Sequence, residues 1–131
     1  MSYDIIDGSS REEEMKFFTI GDLIDLGNKY PKTPFVFMGT KLSPSDLHSW
    51  RGSYCEPSID FDEQVRIGED IAQTLFTQLQ CRHFGYKGGE YKYYKTDEFY
   101  VSPYGAANEY KVADYSYSDG KIILLTKIDK Y

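Results

Sequence analysis

The chain has 131 residues, and its 21 acidic and 15 basic side chains give a net charge of −6. This length predicts one domain with its own core, and the acidic balance argues against duplex DNA as a partner, because DNA binding needs clustered Lys and Arg. The two cysteines and two histidines lack zinc-ligand spacing, and no apolar run reaches the length of a membrane span. We therefore expect no metal, no cofactor and no membrane insertion, with free thiols in a reducing cytoplasm.

The start of the chain is polar, and residues 1–14 predict a flexible N-terminal arm. One α+β domain is expected over residues 15–131. Within the arm, Ile5 and Ile6 could add an edge strand. A short strand is expected at residues 16–18.

A short helix follows this strand. Thr19 is a good N-cap, and Asp22 stands three residues later, where the acid of a capping box lies. Gly27 and Asn28 predict the end of the helix, and Pro31 prevents its continuation.

The middle of the chain alternates apolar runs with turn formers. Residues 35–38 predict a buried strand, residues 40–46 a turn, and residues 57–61 another strand. The longest helix is expected over residues 62–80, because apolar residues recur there at spacings of mostly three and four. The residues of this apolar stripe are Val65, Ile67, Ile71, Leu75, Phe76 and Leu79.

The last forty residues predict an antiparallel meander. Its strands are expected at residues 91–95, 98–101, 109–117 and 121–128, and Asp119-Gly120 between the last two is a strong hairpin signal. The 13 tyrosines suit a pleated, half-buried surface. Together these patterns predict an α+β fold in which one long and one short helix pack on a mostly antiparallel sheet.

Two glycine-containing segments combine an aromatic residue with a cation. In the first, Trp50 and Tyr54 can stack on a planar ring, and the fork-shaped guanidinium of Arg51 can hold a phosphate. This combination is typical of a site for a phosphorylated nucleotide.

The second segment contains Tyr86, Lys87, Gly88 and Gly89. The tyrosine adds another stacking surface and the lysine a point charge. Two adjacent glycines allow close backbone approach, and their amide groups can form an anion-binding nest. We interpret the two segments as two walls of one ligand site.

A purely structural interpretation also fits these segments. Trp50 would then anchor the core, Arg51 would pair with Asp60 or Glu56, and Gly88 and Gly89 would form an ordinary turn. No recognised catalytic motif accompanies the segments, so a binding module is favoured over an enzyme.

The order of these segments resembles a family of small accessory proteins encoded by tailed bacteriophages and prophages. The resemblance covers roughly residues 16–106. Its matching stretches are residues 19–24, Tyr30-Pro31, residues 34–37, 47–54 and 84–91, and Tyr104-Gly105. Phage accessory proteins of this size often act on host defence systems. The resemblance therefore implies a phage setting and the cytoplasm of a bacterial host, but it transfers no catalytic residue.

Two functional hypotheses follow. In the first, the chain is a counter-defence protein that sequesters a nucleotide-derived immune signal, such as a cyclic ADP-ribose isomer or a cyclic oligonucleotide, without catalysis. In the second, it is an inhibitor that docks on a host defence complex such as a CRISPR or restriction nuclease, through its acidic charge and tyrosine-rich sheet.

A homodimer is also expected. Strict alternation in the strand at residues 109–117 places Tyr115 and Tyr117 on one face, with Tyr110 and Val112 on the other. A sheet with apolar character on both faces needs a cover for each, and a second subunit would supply one of them.

Overall fold

The computed structural model describes residues 17–50, 53–84, 89–101 and 110–128. The predicted arm and the first residue of the strand expected at 16–18 lie outside these ranges. Within them the chain forms two helices, α1 over Ile20–Lys29 and α2 over Gly68–Gln80. The strands are β1 Pro34–Phe37, β2 Ser43–Trp50, β3 Ser53–Asp62, β4 Arg66–Ile67, β5 His83–Phe84, β6 Glu90–Tyr91, β7 Tyr100–Val101, β8 Tyr110–Ser118 and β9 Lys121–Ile128. The predicted α+β class is confirmed.

The start of α1 has the predicted capping box. The Asp22 backbone N–H donates to Thr19 Oγ1 at 3.1 Å, and the Thr19 N–H donates to Asp22 Oδ2 at 2.9 Å. The next two backbone N–H groups, of Ile20 and Gly21, donate to the carbonyls of Asp97 and Lys95. Four amide donors at this end therefore have acceptors, which a helix terminus requires when it is covered by protein.

The predicted end of α1 at Gly27 is wrong, because the helix continues to Lys29. Gly27 lies inside the helix, where α1 crosses the start of α2. A Cβ at Gly27 would stand 2.5 Å from the Gly68 carbonyl oxygen, and a Cβ at Gly68 would stand 2.2 Å from the Tyr30 carbonyl oxygen. The two backbones therefore touch, and both glycines are required for this close approach rather than for a helix stop.

The second helix is shorter than predicted and begins at Gly68 instead of residue 62. Its N-cap, Ile67, makes no side-chain cap hydrogen bond. The backbone N–H groups of Gly68 and Glu69 donate instead to the carbonyls of Thr33 and Pro31, at 3.0 and 2.9 Å. The loop after α1 therefore caps α2, which a local sequence pattern cannot show.

The predicted apolar stripe of α2 is only partly buried. Ile71 and Leu75 lie in the core, whereas Phe76 is 44% exposed. Val65 precedes the helix and is 52% exposed. Val65 falls outside the stripe because the helix starts later than predicted. Phe76 follows the buried Leu75 by one residue, which rotates its side chain by about 100° around the helix and away from the core.

The predicted hairpin between β8 and β9 is confirmed. Asp119 and Gly120 have φ values of 53° and 74°, and the flanking residues Ser118 and Lys121 pair directly. Positive φ at both central residues is the requirement of a type I′ turn, which matches the twist of the flanking strands.

A β-bulge in β8 corrects the predicted placement of its tyrosines. The pairing with β9 shifts between Val112 and Asp114, so that Val112 faces Thr126 and Tyr115 faces Leu124. One extra residue reverses the alternation of a strand. Tyr115 and Tyr117 therefore share the inner face with Tyr110, so they do not give β8 the second apolar face from which the dimer was predicted.

The sheet is mixed rather than a simple meander. Its order is β2-β3-β7-β8-β9-β1-β4, and the pairs β1/β9 and β3/β7 are parallel. The strand expected at residues 91–95 is not part of it, because β6 pairs with β5 in a separate two-stranded sheet. The turn near Thr96 and Asp97 is present, since the Asp97 N–H donates to the Tyr94 carbonyl at 3.0 Å.

The large sheet curls until its two ends meet at Ser43. This residue was expected in a turn but begins β2, and it is fully buried. Its hydroxyl donates to the Phe35 carbonyl of β1 and accepts from the Arg66 N–H of β4 at 2.9 Å. The helices cover the concave face, where the core contains Leu23, Ile59 and Leu124.

Replacing Gly68 with alanine tests the helix contact. We expect Gly68→Ala to lower the free energy of unfolding by about 1–3 kcal/mol, because the new methyl group would overlap two backbone carbonyls that can separate only if the helices move apart. Urea denaturation measures this change. Gly89→Ala is the matched control, since a Cβ there meets nothing within 4 Å. Equal stability of the two variants would contradict the contact.

Candidate functional site

The structure describes only part of the predicted ligand site. Trp50 is the last residue of β2 and pairs with Ser53, and Tyr54 lies in β3, but the side chains of Trp50 and Tyr54 lie outside the described part of the chain. Gly89 is exposed just before β6. The remaining predicted site residues, Arg51, Tyr86, Lys87 and Gly88, also lie outside the described ranges.

The strands that flank the second glycine segment carry an aromatic cluster. The rings of His83 and Tyr91 are stacked, with centroids 5.3 Å apart and planes at 24°. Tyr93 lies 4.9 Å from His83 and 5.6 Å from Tyr91, and it is almost completely buried. Because Tyr93 belongs to the core, the cluster connects β5 and β6 to the interior of the protein.

Two polar contacts connect this cluster to β2. His83 Nε2 lies 3.4 Å from the Gln78 carbonyl oxygen in the last turns of α2. The Gln78 side-chain amide in turn donates to Asp46 Oδ1 at 3.2 Å. β2 and β5 therefore both contact Gln78, near the C-terminal end of α2. From Asp46, β2 continues to Trp50, a residue of the first predicted wall.

A second candidate site lies at the open end of the curled sheet, and we call it the mouth. It is a cavity of about 210 Å³. Its strand-borne wall consists of Phe37, Phe61, Val101, Tyr110 and Thr126, one residue from each of five strands. The mouths of β-barrels are a common location for small-molecule sites, because strands bring side chains together there from distant parts of the chain.

An aromatic contact across the cavity shows how strongly the sheet curls. The rings of Phe37 in β1 and Phe61 in β3 meet edge to face, with centroids 5.9 Å apart. These two strands are not neighbours in the sheet order. Their side chains can touch only because the concave face folds over the space between them.

The loop between β1 and β2 completes the wall with Met38, Thr40 and Leu42. The Thr40 hydroxyl donates to the Phe37 carbonyl at 2.8 Å and accepts from the Leu42 N–H at 3.0 Å. The Leu42 carbonyl accepts from the Phe37 N–H at 3.0 Å. These three hydrogen bonds hold the loop in one conformation and make this part of the wall rigid.

Two charged groups beside the mouth, Asp62 and Arg66, are paired with each other. Asp62 follows Phe61, and its carboxylate accepts two hydrogen bonds from the Arg66 guanidinium, at 2.7 and 3.2 Å. The hydrogen bonds from Arg66 hold the pKa of Asp62 below its ordinary value, and Asp62 raises the pKa of Arg66. The pair therefore presents little net charge to the cavity.

The mouth lies at the opposite end of β3 from Trp50, where the first predicted wall begins. Trp50 pairs with Ser53 at one end of β3, and Phe61 stands near the other end, eight residues along the strand. An extended chain of that length spans about 26 Å. Sequence reasoning missed the mouth, because the alternation in β9 predicts a buried face but not the curvature that encloses a space.

Other chemistry has little support in the described residues. Among them, no three His, Cys, Asp or Glu side chains are grouped to hold a metal ion, and neither helix is long and apolar enough to cross a membrane. Cys81 is exposed and unbridged. No protein-family model matches the chain, and no curated protein or solved structure shows significant similarity to it.

The pair beside the mouth gives a pH dependence of stability. The folded state binds a proton at Asp62 more weakly than the unfolded state, so the pair stabilises the fold above the ordinary aspartate pKa of about 4, and this contribution is lost as the pH falls through the lowered pKa. We expect Asp62→Asn to be less stable than the parent at pH 7 but equally stable in strong acid.

Urea denaturation across this pH range measures the difference. The control is Glu63→Gln, which removes the neighbouring exposed carboxylate and leaves the Asp62–Arg66 pair intact. A stability difference for Asp62→Asn that stays constant from neutral pH to strong acid would show that the ion pair is not its cause.

Proposed function

We propose that the chain is a binding protein that sequesters a nucleotide-derived signalling molecule and does not transform it. In the phage setting that the sequence resemblance implies, this signal belongs to host defence. The proposed ligands are cyclic ADP-ribose isomers and cyclic oligonucleotides. Trp50, Tyr54 and Tyr86 would stack on the rings, Arg51 and Lys87 would hold phosphate, and the backbone at Gly88 and Gly89 would approach the ligand closely.

The observation that carries this proposal is the placement of the two flanking hairpins. The Gln78–Asp46 hydrogen bond and the His83–Gln78 contact fasten β5 and β2 to the same end of α2. The aromatic cluster of His83 and Tyr91 adds stacking surface beside the glycine segment. β2 and β5, the strands that precede the two glycine-containing segments, are therefore both attached to Gln78, which supports the proposal of one shared site.

A second candidate is the inhibitor that docks on a host defence complex. The supporting observation is the exposure of tyrosines on an acidic chain: the side chains of Tyr94 and Tyr117 are 59% and 57% exposed. Tyrosine is enriched in the centres of protein interfaces. Recovery of a stoichiometric protein partner from host lysate, with no bound small molecule, would favour this function over the first.

The homodimer belongs to this proposal, on a different surface from the one expected. The outer face of β9 carries a strip of two half-buried side chains, Ile123 and Leu125, which alternate away from the core residues Ile122 and Leu124. A second subunit packed on this strip would shield it from water. Light scattering at micromolar concentration should give the mass of a dimer.

Calorimetry with a panel of cyclic nucleotides tests the first function. We expect saturable heat with one of them, and recovery of that nucleotide intact after the protein is denatured. Arg51→Ala and Lys87→Ala should each weaken binding by roughly ten- to a hundredfold, because each removes a charge-assisted hydrogen bond worth about 1.5–3 kcal/mol.

The control variant is Lys121→Ala, which also removes one positive charge but lies at the β8–β9 turn, where its side chain is exposed. Its affinity should equal that of the parent. Absence of heat and of a thermal shift with every nucleotide would end this proposal, and a chemically altered nucleotide would identify an enzyme instead.

A further inference from the structure

We propose that the mouth of the curled sheet binds a small uncharged molecule about the size of one substituted aromatic ring. This site lies at the opposite end of β3 from Trp50, and none of its described wall residues belongs to the proposed nucleotide site. The inference is therefore independent of the proposed function.

The size of the cavity sets the size of the ligand. Its volume is about 210 Å³. An apolar cavity of about 150 Å³ in another protein binds benzene, so this one has room for a ring with a short substituent. A protein partner fits less well, because a stable interface uses roughly 20–30 residues on each side, whereas the described part of this wall has eight.

The chemistry of the wall sets the charge of the ligand. None of the eight described wall residues is charged, and the adjacent Asp62 and Arg66 are already bound to each other. A charged ligand would lose its hydration against this uncharged wall, which is strongly unfavourable. The faces of Phe37 and Phe61 and the thioether of Met38 favour an aromatic or aliphatic group.

One polar substituent can be accommodated. The Thr40 hydroxyl already makes two hydrogen bonds within the loop: it donates to the Phe37 carbonyl and accepts from the Leu42 N–H. Thr126 carries a further hydroxyl on the wall, where it can donate to or accept from a ligand group. The class that fits is therefore a neutral ring compound with one hydroxyl or carbonyl group.

The test uses two probes that share a ring and differ in charge, benzyl alcohol and benzoate. The protein is labelled with ¹³C at its methionine methyl groups, and the Met38 signal is assigned with Met38→Leu. The signals of the other two methionines, Met1 and Met15, are recorded in the same spectra. We expect the Met38 signal to shift saturably with benzyl alcohol, with a Kd on the order of 1 mM for a ligand of this size, and not with benzoate.

Adjacent residues of β9 supply matched variants. Thr126 faces the cavity and Leu125 faces the opposite side of the sheet. Thr126→Phe fills the mouth and should weaken benzyl alcohol binding at least tenfold, whereas Leu125→Phe should leave it unchanged. Thr126→Leu adds less volume and removes the hydroxyl, so it should weaken binding several-fold, and it replaces Thr126→Phe if that variant does not fold.

Three outcomes would overturn the proposal. The first is the absence of a saturable Met38 shift in the parent protein. The second is equal binding of benzyl alcohol and benzoate. The third is unchanged affinity in a folded Thr126 variant. The comparison of the two probes uses the parent protein alone, so the proposal remains testable even if both variants fail to fold.

Discussion

The buried hydroxyl of Ser43 joins the two ends of the large sheet, and the enclosed interior depends on that junction. A flat sheet of seven strands would present an open face that two short helices could not cover. Because β2 returns to β1 and β4 at Ser43, the concave face is narrow enough for α1 and α2 to fill most of it. The part that they leave uncovered becomes the mouth, so the core and the cavity result from the same curvature.

The helices are held by backbone contacts more than by side-chain caps. Gly27 and Gly68 allow α1 and α2 to touch, and that contact places the loop after α1 over the first amide groups of α2. The start of α1 is covered in the same way by the carbonyls of Lys95 and Asp97. Helix N-termini often bind anions, but the four donors at the start of α1 and the first two of α2 already have acceptors. A phosphate-bearing ligand would therefore have to be held by side chains and loops elsewhere.

Local signals predicted local structure well. The capping box at Thr19 and the Asp119-Gly120 turn are confirmed because each depends on residues within three or four positions of one another. The bulge after Val112 was not predictable, since it is defined by pairing with β9 rather than by its own sequence. The mouth depends on five strands at once. Of the predicted nucleotide site, the structure describes only strand ends and Gly89, so the sequence remains the source of that hypothesis.

The parallel pairing of β1 with β9 has a consequence for how the chain acquires its structure. Phe35 pairs with Ile122, which brings together residues from near the two ends of the described chain. Contacts between residues so far apart in sequence close a large loop and slow the search for the native topology. The β8–β9 hairpin, in contrast, can form within microseconds because its turn is local. During synthesis the emerging chain therefore cannot complete this part of its interior until β9 has left the ribosome, and until then the edge of β1 that faces away from β4 stays open to mispairing.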